Sequence, residues 1–64
     1  MTLQDKIYHT EQIADAIQRG EQTYQITPVC LLESLPTPQI AGTMVQRRSY
    51  ALSKAVDILN TLSL

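Results

Sequence analysis

Residues 38–64 carry a helical period strong enough to dictate what the rest of the chain must do. At about 100° per residue around a helical axis, Ile40, Ala41, Met44, Val45, Ala51, Leu52, Ala55, Val56, Ile58, Leu59 and Leu62 share one arc of about 160°. Arg48 falls near the middle of that arc, Ser63 at its edge and Leu64 outside it. The spacing predicts one unbroken helix over about 38–62, roughly 37 Å long at ~1.5 Å per residue. So wide an apolar arc on so long a rod needs a partner surface.

The chain has 64 residues, enough for one domain. A domain of this size hides only about 60% of its unfolded surface and is marginal alone. Disulfides, metals and second subunits are the usual supplements. Cys30 is the single cysteine, so no internal disulfide can form. His9 is the single histidine, and no Cys/His cluster suggests a metal. Self-association remains, and a homodimer is expected.

Upstream, Thr2 reads as an N-cap with Asp5 three residues on. Leu3, Ile7, Thr10, Ala14 and Ile17 then recur at helical spacing, with Ile13 widening the stripe. Gly20 suits the left-handed position that follows a helix end. A first helix is predicted over about 3–19. Residues 21–26 read as a connector, because one short strand would lack a partner within the chain. Thr27 followed by Pro28 reads as an N-cap with proline at the first helical position. Val29, Cys30, Leu31, Leu32 and Leu35 are apolar nearly all round, predicting a short buried helix over about 28–35 that Pro36 ends. Thr37 and Pro38 repeat the start signal. Gly42, within the third helix, costs on the order of 1 kcal/mol relative to alanine. The expected fold is therefore all-α, with three helices in a single domain over residues 1–64.

Net charge is -1, too small to draw the chain to DNA or an anionic membrane by its overall field. Residues 1–34 hold Asp5, Glu11, Asp15, Glu21 and Glu33 against Lys6 and Arg19, giving -3; residues 35–64 hold Arg47, Arg48 and Lys54 against Asp57, giving +2. Complementary halves that pack together, or that meet across a dimer, explain the split. No stretch approaches the ~20 apolar residues of a membrane span, and no secretory signal opens the sequence. A soluble, cytoplasmic protein without a membrane partner is expected.

Arg48 is the sharpest single residue. An arginine on an apolar arc must pair with an acid such as Glu33, Glu11 or Asp15 or with helix-end carbonyls, reach out along its aliphatic stem, fix register at a dimer seam, or meet an anionic ligand. Arg47, Tyr50 and Lys54, at i, i+3 and i+7, form a basic and aromatic strip, flanked by Thr43 and Asp57, away from much of that arc. It is either a plain solvated face, a protein-binding strip, or a nucleic-acid contact in which cations meet phosphate and the ring stacks. Tyr24, in the connector, is a further candidate partner anchor; like Tyr8 it suits a rim position with a wet hydroxyl.

A helix-turn-helix over residues 11–29 is disfavoured, because Arg19 and Glu21 flank Gly20 where buried residues belong and Pro28 interrupts the second helix. Catalysis has little footing. Cys30 lies in an apolar run, where a small buried hydrophobe is the simpler role, and His9 falls on the polar side of the first helix. No cofactor, metal or catalytic residue is expected. The functional expectation is a non-enzymatic interaction or regulatory protein, a homodimer that binds another macromolecule, a protein first. The alternative is a nucleic-acid-binding transcriptional regulator using Arg47, Tyr50 and Lys54.

Overall fold

The computed structural model describes residues 1–62, in the order helix, strand, strand, helix: α1 (Leu3–Gln18), β1 (Tyr24–Thr27), β2 (Cys30–Leu32) and α2 (Met44–Leu62). The all-α expectation is thereby corrected. Two helices pack beside one two-stranded antiparallel sheet. Ser63 and Leu64, placed by the period at the edge of the apolar arc and beyond it, lie outside the described residues.

Local chemistry builds α1. The Thr2 Oγ1 accepts the Asp5 N–H at 3.1 Å, satisfying one of the free donors of the first turn. At the other end Gly20, at φ +78°, donates its N–H to Ile17, and Glu21 donates to Ala16, both at 3.0 Å. Those two bonds form a Schellman cap, which needs the left-handed glycine. The helix therefore ends one residue before the expected Arg19.

The short helix expected over 28–35 is replaced by a hairpin. Pro28 and Val29 form its two-residue loop, and the Thr27 Oγ1 accepts the Val29 N–H at 3.3 Å. Thr27 thus caps a turn, since hydroxyl side chains serve turns and helix starts alike. The residues read as a connector supply the strand that Cys30–Leu32 pairs with: Tyr24 faces Leu32, Gln25 faces Leu31, and Thr27 faces Cys30. Ile26 is the extra residue of the resulting bulge, and it is buried. A bulge bends its strand and re-aims a side chain. Leu31 points to solvent while Cys30 and Leu32 turn toward the core. A four-residue apolar run fits a strand as well as a helix, and period alone does not separate them.

The long helix expected over 38–62 starts at Met44 instead. Gly42 has φ +98°, outside right-handed helical geometry. Beyond it Thr43 and Gln46 form a reciprocal capping box: Gln46 N–H to Thr43 Oγ1 at 3.1 Å, and Thr43 N–H to Gln46 Oε1 at 2.9 Å. This start signal outweighs the one at Thr37 and Pro38 because it satisfies two backbone donors. Residues 33–43 are an irregular connector, tied down where Leu35 donates to the Gln22 carbonyl at 2.9 Å and Tyr50 Oη donates to the Thr37 carbonyl at 3.0 Å. Ile40 and Ala41, assigned by the period to the apolar arc, belong to this connector, and Ile40 is 84% exposed.

The helices run antiparallel, as the Arg48 contacts near the end of α1 and the Leu3, Ile7, Leu52 and Val56 cluster near its start require. Ala51, Ala55 and Leu59 of α2, spaced by four, pack on Ile13, Ala14 and Ile17 of α1, with Ile26 closing the cluster from the hairpin. Four of the buried hydrophobic residues are alanines, Ala14, Ala16, Ala51 and Ala55. They allow close helix approach but contribute little volume, so the core is small.

Candidate functional site

One side of the helix pair is covered by the hairpin and the connector. The other is bare. There α1 presents Leu3, Ile7, Thr10 and Glu11, and α2 presents Leu52, Val56 and Asn60; with Lys6 they line an open groove of about 460 Å³. Farther along, Gln18, Met44, Val45, Arg48 and Ser49 line a second hollow of about 410 Å³. Leu3, Ile7, Met44, Val45 and Val56 are all exposed. They form an apolar stripe in two parts, one toward each end of the helix pair, that the chain's other elements leave uncovered. Isolated apolar residues on a surface are ordinary, whereas apolar residues grouped inside a polar rim mark an interaction surface.

Arg48 divides the stripe. Its Nη1 donates to Asp15 Oδ1 at 2.6 Å and to Gln18 Oε1 at 2.7 Å. Of the acids expected to meet it, Asp15 is the partner, and the pair joins the acidic half of the sequence to the basic half. The pair is not buried: the side chains retain 36% and 41% of their exposure. Arg48 reaches past the arc along its aliphatic stem and keeps the guanidinium wet.

The strip of Arg47, Tyr50 and Lys54 lies on the opposite side of α2 from Val45, Leu52 and Val56, and its members are engaged within the chain. The Arg47 Nε donates to the Gly42 carbonyl at 3.2 Å. Tyr50 is half-buried and anchors the connector at Thr37. Lys54 Nζ sits 5.5 Å from the Tyr50 ring centroid, within cation–π range. A hollow of about 170 Å³ between Ile17, Pro38, Ile40, Arg47, Tyr50 and Ala51 adjoins the strip. The face is therefore more apolar and less freely cationic than the bare sequence spacing implied.

Tyr24 is set apart from that strip. It stands half-buried on β1, and its Oη lies 2.8 Å from His9 Nδ1. The His9 and Tyr24 rings meet edge to face, as do Tyr8 and His9. Burial, and then the neighbouring Tyr8, raise the Tyr24 pKa above its ordinary 10.0. His9 was expected on a solvated face; it instead ties α1 to the hairpin. The missed signal was β1 itself, which brings Tyr24 onto the side of α1 that His9 occupies. Cys30 is a half-buried free thiol packed against the core.

Among the described residues, no three His, Cys, Asp or Glu side chains converge as a metal site would require, and no helix is long and apolar enough to cross a membrane. Compared with known proteins, the chain matches no family model, no curated protein and no solved structure.

Proposed function

We propose that this chain is a non-enzymatic interaction protein of the cytoplasm, working as a homodimer that binds another protein. The observation that carries this is the apolar stripe along the bare side of the helix pair, on a chain of 64 residues with an alanine-rich core. A surface of that kind gains stability from being covered. The side of α2 bearing Arg47, Tyr50 and Lys54 lies away from the stripe and stays accessible when the stripe is covered. The hollow beside it combines exposed Ile40 with a cation and an aromatic edge, a mixture suited to a protein surface. Tyr24, held by His9, contributes to the fold of the hairpin more than to this contact.

The test is affinity capture from a cell lysate with wild type and an Arg47→Glu/Lys54→Glu variant, each with and without nuclease. A protein retained after nuclease treatment, and lost with the variant, supports the reading. Capture of nucleic acid alone, weakening steeply with salt, would instead favour a phosphate-binding regulator.

A further inference from the structure

We propose that a second copy of this chain covers the bare face of the α1–α2 pair, making a two-fold four-helix dimer with Ile7, Leu52 and Val56 in its seam; this names the interface of the homodimer proposed above and rests on that reading.

Three observations favour a second copy over another occupant. The first is charge. The face carries Lys6 and Glu11 at its rim and the Arg48–Asp15 pair across it. Two positive and two negative side chains sum to zero. A surface docked on its own image must tolerate its own charges, and a face of one sign would repel itself. The second is area. The molecule measures 34 × 22 × 16 Å. A face spanning its longest and shortest dimensions has a footprint of about 540 Å², so two copies hide about 1,100 Å², above the ~1,000 Å² that an interface should clear and just under the ~1,200–2,000 Å² of stable ones. The third is length: the stripe runs from Leu3 and Val56 at one end to Met44 and Val45 at the other, matching a whole helix pair of the same dimensions. An antiparallel pair laid on its own copy is the two-layer packing of a four-helix bundle. The hairpin then lies on the outside of each half.

The test is sedimentation equilibrium of the full chain at micromolar concentration, for wild type, Ile7→Asp, Val56→Asp and a control, Val29→Asp. Val29 is 97% exposed at the hairpin loop, away from the face. Wild type and the control are expected to be dimers. An acid buried without a partner in the seam should weaken the dimer at least about tenfold while helical circular dichroism is kept. If wild type dimerises and both face variants dimerise equally well, the interface lies elsewhere; this inference falls and the homodimer stands. If wild type is a folded monomer, both fall and the stripe serves another partner. Should the variants unfold, the methyl resonances of wild type decide. On dilution those of Ile7, Leu52 and Val56 should shift while Val29 stays fixed, and the reverse pattern overturns the proposal.

Discussion

Gly42→Ala tests where α2 begins, because two placements of this residue predict opposite signs. Inside a helix running from Pro38, replacing glycine by alanine would stabilise the protein by about 1 kcal/mol. In the structure Gly42 has φ +98°, and a Cβ added there would lie 2.6 Å from Gln46 Oε1. A positive φ costs a non-glycine residue on the order of 1–2 kcal/mol. The clash also displaces the Gln46 carboxamide, which accepts the Thr43 N–H. Losing that half of the capping box adds roughly 0.5–1 kcal/mol. The sum, about 2 kcal/mol, is a sizeable part of what a chain of this size commands. It corresponds to a fall in Tm of roughly 8–16 °C for a domain near 60 residues. Thermal and urea unfolding followed by circular dichroism, at fixed protein concentration, measure it. Gln46→Ala isolates the capping share and should cost less. A Gly42→Ala variant as stable as wild type, or more so, would refute the placement of the helix start at Thr43.

Leu59→Ala should cost about 2–5 kcal/mol in urea unfolding, because Leu59 is one of the largest side chains in a small, alanine-rich core and its removal leaves a cavity there. Arg48→Ala should change stability by no more than about 1 kcal/mol, measured in the same way, since both partners of its ion pair stay more than a third exposed and solvent screens them; the small loss should shrink further in high salt. Tyr24 gives a pH dependence. Its pKa is raised in the folded state, so the fold favours the neutral phenol: the associated stability is present below pH 10 and is lost as pH rises through the folded value. Ultraviolet titration of the phenols, compared with Tyr24→Phe, should show one tyrosine ionising late.

The parts of the fold legible in the chain were those with short-range causes. The Thr2 cap, the stripe from Leu3 to Ile17 and the glycine stop at Gly20 are local devices, each satisfied within a few residues, and α1 follows from them. The register of α2 from Ala51 to Leu59 follows from periodicity in the same way. What misled was local chemistry shared by two structures. Thr27 with Pro28 suits a turn as well as a helix start. The apolar run from Val29 to Leu32 suits a strand as well as a buried helix, and Thr37 with Pro38 was outranked by the Thr43–Gln46 box. Strand pairing between residues 24–27 and 30–32 is a relation between segments, and no single segment announces it. Among site residues, Arg48 was marked by an elementary conflict, a charge on an apolar arc. The role of His9 could not be seen until β1 carried Tyr24 to it.

The chain by itself determined two amphipathic helices and an apolar surface in excess, because period and capping are properties of neighbours in sequence. Only tertiary structure decided which side of the helix pair the hairpin shelters, which acid Arg48 meets, and which apolar residues remain in water. Those outcomes depend on antiparallel packing of Ala51, Ala55 and Leu59 against Ile13, Ala14 and Ile17, and burial is settled by what lies across a contact.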